Sequence, residues 1–212
     1  MAAPTVPAPG RAPAVRLATT GDVAGICAAL ARSFDDDPVV RYLMPTARRR
    51  PAGLRAFFRA QLVTDHHVAF GGTFTTDDYA GAAIWAPPGK PRRPPARSLP
   101  VILPLAPYFT GASAVRGLRF LSRLDASHPT EPHRYLATLG TEPALQGRGI
   151  GSALLGPVLA RCDTEGERAY LESSKESNLA FYGRHGFAVT GELRTPGGPT
   201  IWTMWRDPVP PH

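Results

Sequence analysis

Cysteine is nearly absent: Cys27 and Cys162 are the only two in 212 residues, and neither has a second Cys or a His at metal-ligand spacing. Both fall in segments of helical periodicity, where they are expected as buried, small apolar side chains. His66 and His67 stand side by side without a third ligand nearby, so surface or packing histidines are expected and no metal. No apolar run approaches the roughly 20 residues that a membrane-crossing helix requires. Met1 to Pro13 are rich in Ala and Pro and lack an apolar signal core, so a flexible tail and a cytoplasmic chain are expected. No internal repeat is visible. The net charge is +7, but aromatic residues do not interleave with the basic ones. The basic residues, nearly all Arg, are dispersed apart from Arg48, Arg49 and Arg50 and the group Lys90, Arg92 and Arg93. A solvated surface is therefore expected rather than a nucleic-acid partner.

What the chain has in quantity is proline and glycine, 24 and 21 residues, which must be accommodated in loops. Domains usually run roughly 100 to 200 residues, so a single domain is expected over 14–207, with tails at 1–13 and 208–212. The apolar share of 43% and the charged share of 19% are ordinary for a soluble globular protein.

Along the chain, Val15 to Ala18 reads as a short strand. Thr19 or Thr20 with Asp22 then opens a helix whose apolar face carries Val23, Ile26, Cys27, Leu30 and Phe34. Asp35, Asp36 and Asp37 end it, and this cluster suits either an amine substrate or the cap of the next helix, Val39 to Leu43. Residues 48 to 65 predict a helix with Leu54, Phe57, Phe58 and Leu62 on one face. A strand at Val68 to Phe70, turns at Gly71 with Gly72 and at Asp77 with Asp78, and an apolar strand from Ala80 to Ala86 follow. Residues 87 to 97, rich in Pro and Arg, predict an irregular loop. Pro100, Pro104 and Pro107 interrupt the apolar segment Leu99 to Leu124, which predicts broken helices; its Tyr108, Phe109 and Phe120 suit a pocket or the core. The C-terminal third predicts a strand from Arg168 to Ser174 and a short helix from Glu176 to Arg184 capped by Ser174 or Ser177. Strands at Ala188 to Leu193 and Ile201 to Trp205 complete it. Such alternation predicts an α/β fold with a mixed sheet.

The most informative stretch is Tyr135 to Ser152. An apolar strand carrying Leu139, Gly140 and Thr141 leads to Gln146, Gly147, Arg148, Gly149, Ile150, Gly151 and Ser152, after which apolar residues recur at helical spacing. Glycines let backbone approach a ligand closely, and free N–H groups with the dipole of a helix start favour phosphate. A Walker loop requires Lys before the Ser, and none is present. A dinucleotide fingerprint requires a third glycine where Ser152 stands, although Glu172 lies at a distance suited to a ribose-binding acid. The remaining pattern, Gln146 with Gly149 and Gly151, resembles motif A of the GCN5-related N-acetyltransferases (GNAT). Downstream, Asn178 and Tyr182 stand four apart on one helix face, ahead of Gly186 and Phe187. This second constellation also resembles that family, over Val15 to Arg206. The segments Val15 to Thr19, Tyr135 to Thr138, Tyr170 to Ser174, and Phe181 with Tyr182 resemble the puromycin N-acetyltransferase branch.

The resemblance implies a GNAT fold, a mixed sheet of about seven strands flanked by helices. The strand 135–141 is expected to splay from the strand 168–173, with a bulge at Gly140. It implies acetyl-coenzyme A as co-substrate, with no metal. Backbone groups of Leu139 and Thr141 are then expected on the pantetheine, the loop Gln146 to Ser152 on the pyrophosphate, and Asn178 on the pantetheine arm. Tyr182 becomes the general acid toward the leaving thiolate and Glu172 the first candidate for general base. Glu142, His128 and His133 are the further candidates, and a water chain needs no residue. The implied acceptor is a primary amine of a small molecule, an antibiotic among the options, or a peptide N-terminus, selected by residues 87–128. The alternative from another class is a non-catalytic acyl-coenzyme A sensor. A monomer or a homodimer is expected, without membrane.

Overall fold

Asp22 fastens the first strand to the first helix. Its carboxylate accepts hydrogen bonds from the Thr19 N–H (2.7 Å) and hydroxyl (2.8 Å), from two nitrogens of Arg16 (2.8 and 2.9 Å) and from the Tyr79 hydroxyl (3.0 Å). Strand β1 (Val15–Leu17) thus runs through one turn of 3-10 helix (Thr20–Asp22) into α1 (Val23–Ser33). The computed structural model describes residues 13–64, 68, 71–89, 103–108 and 111–210.

Helices α2 (Pro38–Leu43) and α3 (Arg50–Arg59) follow. Asp37 caps α2, accepting from the N–H groups of Val39 (2.9 Å) and Val40 (3.1 Å), so the capping role expected of the aspartate cluster is realised at this member. The helix expected over 48–65 is shorter, because a π-helical turn replaces it at Ala60–Thr64. Leu54, Phe58 and Leu62 are buried, but Phe57 is 37% exposed and leaves the apolar face assigned to it. Val68 sits in a turn, and His66, His67, Ala69 and Phe70 lie outside the described residues.

Strands β2 (Thr73–Thr76) and β3 (Gly81–Ala86) pair antiparallel, and the expected strand is therefore six residues long. Beyond it, a 3-10 segment (Leu103–Tyr108) and α4 (Ala112–Ser127) are the expected broken helices. Phe120 is buried, and Tyr108 packs where a Cβ on Gly53 would meet its ring at 3.1 Å. Phe109 is outside the described residues, as is most of the Pro/Arg-rich loop.

Strand β4 (Arg134–Thr141), α5 (Ile150–Glu165), β5 (Ala169–Ser173), α6 (Leu179–Gly183), β6 (Ala188–Arg194) and β7 (Thr200–Arg206) complete the chain. The seven strands form one mixed sheet in the order β1-β2-β3-β4-β5-β7-β6, in which only β4 and β5 are parallel neighbours. One face packs on α5 through Leu154, Leu155, Val158, Leu159 and Cys162. The other packs on α1 and α3 through Ile26, Leu30, Leu54 and Phe58 against Ala82 and Ile84. Both cysteines are buried, and burial pushes each thiol up to about 11.

Two expectations change. The bulge is not at Gly140, which pairs in register with Ala82. It is at Ala137, because Ile84 faces Thr138 while the next residue, Trp85, faces Leu136. Gly140 is small for another reason: a Cβ there would lie 2.7 Å from Leu30 Cδ2 and 2.8 Å from Ser33 Oγ, so α1 packs directly on the strand. Neither Ser174 nor Ser177 caps the helix that begins near Glu176. Lys175 holds the cap position of that turn, and the Ser174 hydroxyl donates to Asp37 instead.

Gly140→Ala is expected to destabilise the fold by about 1–3 kcal/mol, the usual cost of overpacking, read from the midpoint of urea unfolding. An unchanged midpoint would mean that α1 yields freely. A second expectation concerns pH. The Arg16 guanidinium, followed by the Thr19 donors, holds the Asp22 carboxyl far below its ordinary value of 3.8. Its contribution is present in full above about pH 4 and declines as pH falls further. In thermal melts, Asp22→Asn should be less stable than wild type at neutral pH, with the gap shrinking below about pH 4. A gap constant across that range would remove the charge from the explanation.

Candidate active site

Strands β4 and β5 are joined only at Arg134 to Leu136, opposite Ala169 to Leu171. Beyond Leu136 they part, and a cleft of about 700 Å³ follows the parting. The backbone direction explains what faces it. The Glu142 N–H donates to the Ala80 carbonyl at 2.8 Å, and along an antiparallel strand such bonds alternate. Thr138 and Gly140 therefore face β3, whereas Leu139 and Thr141 turn their N–H and C=O groups toward the gap. Before the bulge the even residues face β5, as the Arg134 N–H shows by donating to the Arg168 carbonyl at 2.8 Å. The extra residue Ala137 switches the parity.

The cleft runs to the start of α5. Gly147 (φ 76°) and Gly149 (φ 79°) are left-handed, and Gly149 is the helix cap. A Cβ on either would meet nothing within 4 Å, so open space lies beside this backbone. The Ala153 N–H already bonds the Gly149 carbonyl at 3.0 Å. The N–H groups of Ile150, Gly151 and Ser152 precede the first helical hydrogen bond and stand at the positive end of the helix dipole. Side chains here do other work. Ile150 is buried in the core, Gly151 leaves room for the Phe181 ring, and the Ser152 hydroxyl meets His185 Nε2 at 3.0 Å. The Gln146 amide reaches back to the Thr141 carbonyl at 3.4 Å. These residues fit a pyrophosphate through backbone donors and space.

Tyr182 and Asn178 line the same cleft, with Asn178 exposed and Tyr182 only 8% exposed. The Tyr182 ring packs on Phe181 and Phe187 at centroid distances of 5.2 and 6.1 Å. Burial, reinforced by the negative charge of Asp37, raises its phenol well above the ordinary range, so it remains protonated. Asp37 also closes this side of the cleft: Ser174 bonds it, and Lys175 Nζ pairs with Asp36 at 2.6 Å.

Glu172 lies on the cleft wall. It accepts a hydrogen bond from the Tyr135 hydroxyl at 2.5 Å and faces His128 Nδ1 at 3.4 Å. His133 lies behind His128, with the two Nε2 atoms 3.2 Å apart. Three of the four base candidates therefore form one group. Glu142 is apart from it, in an ion pair with Arg32 that ties α1 to the turn before the glycine loop. Arg148 is exposed and does not line the cleft. The dinucleotide reading fails on topology, since its sheet is largely parallel and Glu172 is engaged by Tyr135. Sequence reading missed Tyr135, the Ser174–Asp37 bond and Arg184, whose exposed side chain lines the cleft. No local signal marks such pairs, because their partners are 37 and 137 residues apart.

Among the described residues, no group of His, Cys, Asp and Glu could hold a metal ion, and no helix is long and apolar enough to cross a membrane. Comparison with known proteins points the same way as the geometry. The model of the acetyltransferase (GNAT) family matches residues 107–187. A Schizosaccharomyces pombe protein described as an uncharacterised N-acetyltransferase is 29% identical over 168 residues, 76% of this chain and 68% of its own length. A Corynebacterium glutamicum structure, described as histone acetyltransferase HPA2 and related acetyltransferase, is 28% identical with a TM-score of 0.69. That match covers 95% of this chain and 99% of the other. The fold is shared with an agmatine N-acetyltransferase (16% identity, TM-score 0.62, 93% and 100% covered). It is also shared with a Drosophila melanogaster polyamine N-acetyltransferase (16%, 0.59, 92% and 99%). Fold, family model and relatives together support the GNAT superfamily, the family model over residues 107–187 and the relatives at 28–29% identity over most of the chain.

Proposed function

We propose that the chain transfers the acetyl group of acetyl-coenzyme A, by direct attack, to a primary amine of a small molecule in the cytoplasm. One domain over 14–207 would carry the activity, with residues 87–128 selecting the acceptor. The observation that carries this reading is the continuity of the cleft. The gap beside Leu139 and Thr141 runs into the glycine-flanked start of α5, with Tyr182 in its wall.

In this reading the backbone groups of Leu139 and Thr141 take the pantetheine as an added strand edge. The N–H groups from Gly149 to Ser152 take the pyrophosphate. Asn178 holds the arm from the cleft rim. An alkylammonium is protonated at neutral pH, so Glu172 first removes its proton. The freed nitrogen lone pair attacks the thioester carbonyl, and the Leu139 N–H stabilises the oxyanion. The C–S bond then breaks and the electron pair leaves on sulfur. Tyr182 donates to that sulfur. Its phenol is the weaker acid against a thiol near 8.5, so it stabilises the thiolate by hydrogen bonding and transfers its proton only as the nitrogen of the new amide releases one. The acceptor class, a small amine, is in keeping with the agmatine and polyamine named for the structural neighbours. An antibiotic amine such as puromycin falls within it.

A panel of puromycin, agmatine, spermidine, 2-phenylethylamine and a peptide N-terminus, read by thiol release, tests activity and acceptor together. A sensor module would bind the thioester and release no thiol. Tyr182→Phe is expected to lower kcat on the order of 10²-fold while calorimetry shows acetyl-coenzyme A affinity nearly unchanged; undiminished turnover removes Tyr182 as donor. Gly149→Asp places a carboxylate beside the α5 donors and should weaken coenzyme binding at least about tenfold, and undiminished binding overturns the loop assignment.

A further inference from the structure

Coenzyme A carries two separate anions, the pyrophosphate that joins its pantetheine arm to adenosine and a phosphate monoester on the ribose 3′-oxygen. The N–H groups at the start of α5 suit the first and leave the second without a partner. A phosphate monoester bears about −1.5 to −2 charge at neutral pH, so a cation is the natural complement. Among the described residues, two cationic side chains line the cleft, Lys175 and Arg184. Lys175 is engaged by Asp36 at 2.6 Å. Arg184 is exposed and forms no ion pair within the described chain. Its place is set by an aromatic ring: the guanidinium lies over Phe181, with Cζ 6.0 Å from the centroid. The same ring covers the start of α5, since a Cβ on Gly151 would meet Phe181 Cζ at 3.1 Å. His185 packs on Phe181 at 5.0 Å and meets the Ser152 hydroxyl at 3.0 Å. Arg184 is thus one ring away from the loop donors. Burial, followed by the charges of Arg184 and Arg206, holds the His185 imidazole below its ordinary value. The Arg184 charge therefore reaches the helix start, and the neutral His185 adds no second cation there.

We infer that Arg184 is the subsite for the ribose 3′-phosphate, so that the cleft selects coenzyme A over thioester carriers that lack this group. Arginine is suited to the task because its planar fork meets two phosphate oxygens at once. The Phe181 face supports the guanidinium while leaving its N–H edge to the ligand. Position along the cleft agrees with the order of groups in the coenzyme, since the buried strand gap takes the arm, the helix start takes the pyrophosphate, and the exposed rim is left for the outermost anion. A charge acting only from a distance would attract both anions, whereas direct contact serves one of them. The inference rests on the acetyl-coenzyme A reading of the cleft and gives Arg184 no part in the chemical step.

Calorimetric titration of the full chain with coenzyme A and with 3′-dephospho-coenzyme A tests this by binding alone. The wild type is expected to hold coenzyme A at least about tenfold more tightly than the dephospho form, the usual worth of a charge-assisted contact. Arg184→Gln should bring coenzyme A down to the affinity of the dephospho form and leave the dephospho form within about twofold of its wild-type value. Equal affinities in the wild type overturn the subsite. An equal loss for both ligands in Arg184→Gln assigns the guanidinium to the pyrophosphate and also overturns it. Arg148→Gln removes the same charge from a neighbouring side chain that does not line the cleft, and it should keep the preference for coenzyme A. A preference lost in Arg148→Gln and kept in Arg184→Gln places the phosphate on the wrong arginine for this inference. Failure of the wild type to bind either ligand overturns the acetyl-coenzyme A reading itself, whatever the variants do.

Discussion

The structure depends on the separation of two parallel strands. β4 and β5 share only the span from Arg134 to Leu136, and buried backbone polar groups rarely go unpaired without a reason. The extra residue at Ala137 makes the parting usable, because it turns the Leu139 and Thr141 backbone into the gap instead of toward β3. A sheet continuous through this point would satisfy the same groups internally and leave nothing for a ligand. The neighbouring elements hold the gap open from both faces. α1 presses on Gly140 from one side, where no Cβ would fit, and α5 begins on the other.

Electrostatics are distributed in keeping with that geometry. The donors at the start of α5 are backbone groups, whereas the nearby Arg148 and Arg184 are exposed side chains, Arg184 lying over the Phe181 ring at 6.0 Å. The acidic groups lie farther along the cleft, at Asp36, Asp37 and Glu172. Each already has partners: Lys175 for Asp36, Ser174 and the α2 cap for Asp37, Tyr135 for Glu172. Exposed ion pairs such as that of Lys175 contribute up to about 1 kcal/mol, whereas removing a partner from a buried carboxylate costs about 1–3 kcal/mol or more. Asp37 is thus the stronger fastening, and it joins the start of α2 to Ser174, the residue after β5, close enough for its charge to act on Tyr182. The overall charge of +7 describes the surface, not the site.

Most elements were legible before any coordinates. Apolar runs, alternation and 3.6-residue periodicity located β3, β4, β5, β7, α1 and α5 to within a residue or two, because the central strands are buried between two cores, one on each face of the sheet, and each helix turns one apolar face to one of them. The errors fall where a local rule met a tertiary requirement. Gly140 reads as a bulge because glycine often marks one, yet its size answers to Leu30 and Ser33 on another element. Ser174 reads as a cap because serine often is one, yet its hydroxyl is claimed by Asp37. Residues 48–65 read as one helix because the apolar spacing continues through Ala60–Thr64, a π turn that periodicity does not register.

The sequence by itself determined the fold class, the glycine loop with its helix start, and the pairing of Asn178 with Tyr182, because each is encoded within a few residues of chain. Periodicity, glycine placement and the four-residue spacing of a helix face are short-range physics. Only the tertiary structure decided that Glu172, His128 and His133 are neighbours and that Glu142 is taken by Arg32. The contacts of Glu172 with His128 and of Glu142 with Arg32 depend on elements that the fold brings together from positions 44 and 110 residues apart, and no pattern along the chain contains that information.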